Sequence, residues 1–272
     1  MFTRVCRLAG ALTFCVASHA EAAPLAAHRA TYELTLAEPS STRPSLGASA
    51  PTGARGLIAY EFRGSPCAGY ASDFRMGVEL ERSEGQATTV ELQSLVAEDG
   101  DGRQMSFEIE SRADGDAAPI SGRAVRSTDG NVTVDLTKPT KEQLSLGAEI
   151  LFPTQHLERV IDAARQGVHT LEATVYDGSD TGKKVFQTLA VIGKEDSVAD
   201  APETKPLQGH VRWPVVISYF DRAHEDAEPE VIMSFDLYDD GVTGDLKLDY
   251  GDYALSGRLT KLEMLPQKSC PN

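Results

Sequence analysis

ILFPTQHLERVIDAARQG, residues 150–167, is the run of this chain with the clearest helical periodicity. Its apolar side chains recur at i, i+3, i+4 and i+7, which places them in one stripe of an α-helix about three turns long. These apolar residues are Leu157, Val160, Ile161 and Ala164, and polar residues occupy the opposite side. Because a lone amphipathic helix cannot bury its own stripe, we expect this helix to lie against a β-sheet.

Both ends of the helix are specified by nearby residues. Pro153 forces Phe152 away from helical dihedral angles, so the helix should begin after that residue. Thr154 is the predicted N-cap, and Gly167 can adopt the left-handed conformation that ends many helices.

Most of the remaining chain alternates between apolar and polar residues, a period of two that is typical of half-buried β-strands. The predicted strands and hairpins are residues 31–37, 57–63, 70–82, 88–98, 103–112, 119–127, 132–136, 171–192, 213–219, 231–237, 246–250 and 253–265. In the 171–192 hairpin the second arm is apolar on both faces at Leu189–Ile192, which predicts a central position in the sheet. Two stretches poor in large apolar residues, 38–56 and 193–208, are predicted to be exposed, mobile loops.

The fold class that these elements favour is mainly β. Roughly a dozen short, evenly spaced strands are typical of a barrel, a sandwich or a spiral. The simplest arrangement that also buries the helix is a large antiparallel curved sheet, spiral-like or a broken β-barrel, wrapped around one central α-helix.

The N-terminus has the pattern of a secretory signal peptide. Arg4 and Arg7 precede a short apolar run, and an A-x-A cleavage site follows at residues 20–22. We therefore predict a signal peptide over residues 1–22 and an exported chain. A lipid anchor at Cys15 is the weaker alternative, because a large Phe14 precedes the cysteine.

The rest of the chain, residues 23–272, is predicted to form a single domain. A division into two domains at the helix is the alternative. With Cys6 and Cys15 removed in the signal peptide, Cys67 and Cys270 remain. An even pair of cysteines in an exported chain indicates one disulfide, which would tie the two halves together, and two free thiols are the other interpretation.

The net charge is -15 at pH 7, so the chain should not bind nucleic acid or be drawn to anionic lipid surfaces in general. No run after the signal peptide reaches the roughly 18 apolar residues of a membrane-spanning helix. The sequence therefore predicts a protein that is not an integral membrane protein.

Recognisable chemistry is scarce. The histidines after the signal peptide lack a spacing of three or four, and the common zinc-protease, serine-hydrolase and P-loop motifs are missing. Acidic turns that begin at Asp99, Asp177 and Asp239 each lack a ligand position of a calcium loop and are better explained as hairpin turns. A glycosylation sequon at Asn131 is likewise better explained as the start of a strand. No catalytic residue, cofactor or metal ion is predicted.

His156 is the histidine with the most suggestive position, in the first turn of the helix. It would contact a ligand if it faced a pocket. The simpler explanation is a packed histidine that sets how the helix enters the sheet, because a positive helix end opposes an imidazolium and one histidine makes neither a triad nor a metal site.

Several of these features together resemble a known family. They are the signal peptide, a cysteine after the second predicted strand, ILFPTQHLERVIDAA at 150–164, DYGDYALSGRLTKLE at 249–263 and a cysteine near the C-terminus. This combination resembles the EipB family of α-proteobacterial periplasmic proteins that maintain cell-envelope integrity, and the FPTQH helix start is its most specific element.

The resemblance implies a monomeric or weakly associating, broken β-barrel in the periplasm, with a structural disulfide at Cys67 and Cys270. It implies a role in envelope maintenance under stress and no enzymatic activity. Such folds are similar to those of periplasmic lipoprotein carriers, which bind acyl chains in a curved sheet.

The function predicted from the sequence is therefore a non-enzymatic, periplasmic one that supports envelope integrity. The protein would hold a lipid, an acyl chain or a periplasmic protein partner in the concavity of the sheet. The candidate contact residues lie at the helix start: Phe152, Pro153, Thr154 and His156. The alternatives are a scaffold that uses exposed strand edges and, with less support, an envelope hydrolase.

Overall fold

The computed structural model of the chain describes residues 25–40, 50–85, 87–114, 116–196, 202–224, 228–267 and 270. The predicted signal peptide lies outside these residues. Within them are fifteen β-strands, one α-helix and two short 3-10 helices. No helix of the described part is long and apolar enough to cross a bilayer.

The strands are β1 (His28–Ala37), β2 (Gly53–Ser65), β3 (Gly69–Glu81), β4 (Ala87–Glu98), β5 (Gln104–Ala113), β6 (Asp116–Arg126), β7 (Val132–Lys138), β8 (Glu142–Gly147), β9 (Ile150–Leu151), β10 (Thr170–Val175), β11 (Phe186–Ile192), β12 (Arg212–Asp221), β13 (Val231–Tyr238), β14 (Thr243–Asp249) and β15 (Ala254–Met264). The helix α1 spans Pro153–Arg165, and the 3-10 helices span Ser83–Gly85 and Pro202–Leu207.

All of these strands form one sheet, in the order β8-β7-β6-β5-β4-β3-β2-β1-β15-β14-β13-β12-β11-β10-β9. One meander, β1–β8, and a second, β9–β15, join where the first strand pairs antiparallel with the last. The edge strands β8 and β9 are separated by only Ala148 and Glu149. The two ends of the sheet therefore meet at this short turn, and the sheet curls into a nearly closed barrel. The predicted fold class is confirmed.

The helix begins two residues earlier than an N-cap at Thr154 would require, so that prediction is wrong. Phe152 is the N-cap, with extended dihedral angles, and Pro153 occupies the first helical position, where its missing N–H leaves no donor unsatisfied. The Thr154 hydroxyl instead donates to the Glu98 carboxylate, 2.7 Å away. The other end is as predicted: Gly167 has a φ of 70° and donates to the Ala164 carbonyl.

The apolar stripe of α1 packs against both meanders. Val160, Ile161 and Ala164 are buried, and Leu157 is half-buried. They share a core cluster with β2 and β3 of the first meander and with β11, β12 and β13 of the second. The helix thus contributes to the packing between the two halves of the barrel.

The other end of the barrel is filled without the helix. A second core cluster joins strands β4–β7 to Phe152 and Tyr176, and the Tyr176 ring meets Phe107 edge-on with ring centroids 5.9 Å apart. Gly178, in the turn predicted between β10 and β11, has a φ of 76°, and a Cβ there would lie 2.5 Å from the Phe107 ring. This hairpin turn therefore folds inward against Phe107. Only glycine is permitted at that contact, because it has no Cβ and readily adopts a positive φ.

The edge strands and the two long loops differ from what the sequence predicted. Strands β8 and β9 were not predicted: β8 is a short edge strand, and β9 has two residues that pair in parallel with β10. The predicted loop 38–56 ends early, because β2 starts at Gly53, and its residues 41–49 lie outside the described part.

The predicted loop 193–208 contains the 3-10 helix Pro202–Leu207, and Leu207 is fully buried against Tyr238 and Val242. Residues 197–201 of that loop lie outside the described part. The apolar arm at Leu189–Ile192 has a neighbour on each side, but it lies two strands from the β9 edge and leaves Val191 47% exposed.

Candidate functional site

A cavity of about 270 Å³ lies between α1 and the inner face of the sheet. Its lining is mainly apolar, and most of the lining residues are half-buried. The principal apolar contributors are Tyr60, Leu157, Val175, Ile217, Met233, Phe235 and Leu246.

The strand register explains how these residues meet. Side chains alternate between the faces of a strand, and cross-strand partners point to the same face. Ile217 of β12 pairs with Met233 of β13, and Phe235 pairs with Leu246 of β14. Three strands therefore contribute neighbouring apolar side chains to one wall, and Leu157 and Val160 of the helix lie opposite.

The four residues predicted as ligand contacts divide into two pairs. Pro153 and His156 line the cavity. Phe152 is fully buried in the second core cluster, where the Arg126 guanidinium lies 5.1 Å from its ring centroid. Thr154 is buried and bonded to Glu98, so neither of these two residues lines the cavity.

His156 is a neutral group in this wall. Its Nε2 lies 3.3 Å from the Thr188 hydroxyl, and that hydroxyl donates to the Ala173 carbonyl. Burial lowers the pKa of His156 to about 4. The imidazole is therefore a hydrogen-bonding group without charge at neutral pH.

Asp177 adds a carboxyl group to the same lining. One of its oxygens accepts the Ser179 N–H at 2.9 Å, and burial raises the pKa of Asp177. Thr243 is a further polar residue in the lining, and its backbone carbonyl accepts the Tyr32 hydroxyl at 2.8 Å. The cavity is thus apolar with a few polar groups, as small-molecule sites generally are.

Glu98 is a buried ionisable residue that was not among the predicted site residues. Its carboxylate accepts the backbone N–H of Thr154 at 3.0 Å and the Thr154 hydroxyl at 2.7 Å, so it caps α1 from the end of β4. Burial raises the pKa of Glu98 to about 7 despite these hydrogen bonds. A signal for this position was present, because Glu98 ends the predicted strand 88–98 an even number of residues after the apolar Val90 and Leu92, which places it on their face of the strand.

Cys67 and Cys270 lie at disulfide distance, with their Cα atoms 5.6 Å apart. Cys67 is in the turn between β2 and β3, and Cys270 follows β15. Gln267 supports the same approach, since its side-chain amide donates to the carbonyls of Leu25 and Gly64. Gln267 and Cys270 therefore both lie against the end of β2 and the β2–β3 turn.

A larger hollow of about 640 Å³ lies on the other face of strands β2–β7. Charged residues dominate its rim, among them Glu61, Arg63, Asp73, Glu108 and Arg123. Because it is open and carries paired charges, it is a weaker candidate for an apolar ligand than the cavity against α1.

Comparisons with known proteins agree with the fold. The family model described as EipB-like matches residues 19–266. The cell envelope integrity protein EipB of Brucella abortus is 34% identical over 253 residues, which cover 91% of this chain and 87% of that protein. A crystal structure of a β-barrel-like protein of a domain of unknown function, DUF1849, from Brucella abortus superposes with a TM-score of 0.81 at 33% identity and covers 90% of this chain and all of the other.

Proposed function

This chain belongs to the EipB-like family, and on that premise we propose that it supports cell-envelope integrity as a non-catalytic periplasmic protein that holds an apolar ligand in the cavity against α1. The observation that carries this proposal is the apolar cavity between the helix and three strands of the sheet. Burial of a ligand's apolar surface there would contribute roughly 25 cal/mol per Å² to binding.

The cavity size and polarity restrict the ligand. A volume of about 270 Å³ is slightly below the roughly 300 to 1,000 Å³ of sites for small molecules, so it suits one acyl chain or a segment of it rather than a whole lipid. His156, Asp177 and Thr243 offer hydrogen bonds to a polar head group. We therefore expect an amphiphile with one apolar chain.

The proposed periplasmic location rests on a predicted export signal and on a cysteine pair. The signal-like residues 1–22 predict export, and the cysteine pair at disulfide distance suits an oxidising compartment such as the periplasm. We expect the protein to act there as a monomer.

Native mass spectrometry of the protein purified gently from its own periplasm tests the proposal, with an organic extract of the same sample measured in parallel. We expect a bound mass in stoichiometric amount that is lost on extraction. A protein that carries no ligand and binds no fluorescent fatty acid would contradict the ligand hypothesis and would favour a protein partner.

We expect Met233→Trp to weaken binding of a fluorescent fatty acid at least about tenfold, because the indole fills space that the ligand needs and a factor of ten corresponds to only about 1.4 kcal/mol. Met233 is half-buried and lines the cavity. Fluorescence titration of the delipidated protein measures the effect.

Ser234→Trp is the matched control, because it places the same side chain on the opposite face of β13. This variant should bind like the wild type. Equal loss in both variants would show that the indole acts through general destabilisation, and no loss in Met233→Trp would place the ligand elsewhere.

A scaffold function has one specific observation in its favour, the open edges of the sheet. Among the described strands, β8 pairs with β7 alone, so within that part of the chain its other backbone edge can accept a strand from a partner protein. A photo-crosslinker at Ser145 of β8 in living cells should capture a defined partner if this function holds, and one at Glu108 of β5 should not. Only background at both positions would count against the scaffold.

A further inference from the structure

A second polar cluster lies at the turn between β13 and β14 and has no part in the proposed function. It consists of His210, Asp239 and Asp240, and one donor atom of each lies within 4.8 Å of the other two. His210 directly follows the 3-10 helix and its turn, and both aspartates belong to the hairpin turn. Sequence spacing does not connect them, because 29 residues separate the histidine from Asp239.

The backbone around the cluster is held by hydrogen bonds. The Asp239 N–H donates to the Val211 carbonyl at 3.1 Å, and the Ala26 N–H donates to the Asp240 carbonyl at 2.8 Å. One oxygen of the Asp240 carboxylate, Oδ1, accepts the Val242 N–H at 3.1 Å. These contacts fix the direction of the Asp240 side chain.

The other carboxylate oxygen of Asp240 is unusual. The Asp240 side chain is only 7% exposed, and its Oδ2 has no hydrogen-bond partner. This atom lies 3.8 Å from His210 Nε2, so it points into the cluster. A buried carboxylate oxygen without a partner is costly and calls for an explanation.

His28 provides a second orphaned atom in the same neighbourhood. Its residue is 1% exposed, its Nδ1 donates to the Ala26 carbonyl, and its Nε2 has no partner. Because Nδ1 carries the hydrogen that it donates to this carbonyl, Nε2 of the neutral ring carries a lone pair. Both orphaned atoms are therefore electron-pair donors, and neither satisfies the other.

The distance between His210 Nε2 and Asp240 Oδ2 indicates whether the missing partner of the carboxylate oxygen is a shared proton or a metal ion. A gap of 3.8 Å between His210 Nε2 and Asp240 Oδ2 is too long for a shared hydrogen. Two ligands that each lie about 2.0 to 2.2 Å from a tetrahedral ion are roughly 3.4 Å apart. The gap thus closes around a metal ion with a movement of a few tenths of an ångström.

Asp239 favours the same interpretation. Its Oδ1 lies 2.6 Å from His210 Nδ1, so this ring nitrogen donates its hydrogen to Asp239 and leaves the Nε2 lone pair facing Asp240. A carboxylate that orients a metal-binding histidine in this way is a common feature of metal sites. The Arg165 guanidinium donates to the backbone carbonyl of Asp239 at 2.7 Å. Its single positive charge is smaller than the two negative charges of the Asp239 and Asp240 carboxylates.

We propose that His210 Nε2 and Asp240 Oδ2 bind one divalent transition-metal ion of the zinc class, with Asp239 as the positioning residue. Imidazole and carboxylate ligands suit Zn²⁺. Water completes the coordination.

Isothermal titration of ZnCl₂ into the untagged, chelator-treated mature protein tests this site. We expect one equivalent to bind, with affinity reduced at least about tenfold in His210→Ala and in Asp240→Asn, and about 10- to 100-fold in Asp239→Asn. His224→Ala is the matched control, because His224 makes an exposed pair with Asp221 at 3.1 Å that lacks a buried orphaned oxygen. The control should bind like the wild type.

Thermal unfolding with and without Zn²⁺ gives an independent readout. Zn²⁺ should raise the melting temperature of the wild type and of His224→Ala, and not that of His210→Ala, because an ion that binds only the native state stabilises it. The melting temperatures in chelator show whether each variant is folded. Absence of stoichiometric binding by the wild type, or unchanged affinity in folded His210→Ala, would overturn the proposal.

Discussion

Replacement of both Cys67 and Cys270 by serine is expected to lower the free energy of unfolding by up to about 5 kcal/mol, since the bond would close a loop of 203 residues. The loss arises in the unfolded chain, which gains conformational freedom when the loop is opened. In the native state Gln267 keeps its hydrogen bonds to Leu25 and Gly64 without the disulfide. Urea denaturation monitored by fluorescence measures the difference.

A reductant supplies the control for this prediction. The wild type in reductant should fall to the stability of the double variant, and the double variant should not respond. Two titratable thiols in the unreduced, denatured wild type would show that the bond is absent and would contradict the prediction.

Glu98→Gln is expected to gain up to about 3 kcal/mol of stability relative to the wild type as the pH rises from 4 to 8, since one pKa unit is worth about 1.4 kcal/mol. Burial raises the pKa of Glu98 from 4.5 to about 7. Between pH 4.5 and about 7, the native state therefore holds a proton that the unfolded state has released. The stability contributed by the protonated carboxyl is complete below pH 4.5 and is lost as the pH rises through 7.

The measured quantity is how the difference in unfolding free energy between Glu98→Gln and the wild type changes with pH. Glutamine mimics the protonated carboxyl and does not titrate, so this change comes from Glu98. The hydrogen bonds of the glutamine to Thr154 contribute only a constant offset. Denaturation of both proteins at a series of pH values gives the curve. A difference that does not vary between pH 4 and 8 would show that Glu98 titrates normally.

His156→Gln is the matched variant, with the opposite dependence on pH. Burial lowers the pKa of His156 from 6.5 to about 4, so its neutral form contributes stability above pH 6.5 that is lost as the pH falls through 4. The variant should therefore gain stability relative to the wild type as the pH falls over this range. The two residues thus act in overlapping windows with opposite sign.

Local patterns in the sequence determined most of the fold. The helical stripe at Leu157, Val160 and Ile161, the strand alternation and the left-handed Gly167 depend on a few adjacent residues, so they can be recognised without tertiary contacts. The short strands β8 and β9 could not be recognised in this way. They exist because they are the edges that meet at Glu149, which is a property of the whole curled sheet.

The site could be predicted only in part for the same reason. Helical periodicity drew attention to Pro153 and His156, which line the cavity, but did not show that Phe152 and Thr154 point away from it. Asp177 and Glu98 become significant only where other strands bury them, since desolvation raises the pKa of each.

What the sequence by itself determined is the choice of elements, the two cysteines left for pairing and the family, because these are encoded in neighbouring residues and in motifs. What only the tertiary structure decided is which distant residues share a space. The cavity joins residues from Tyr60 to Leu246, and the proposed metal site joins His210 to Asp240. Both depend on strand register and on the closure of the sheet, and these are set by the packing of the whole chain.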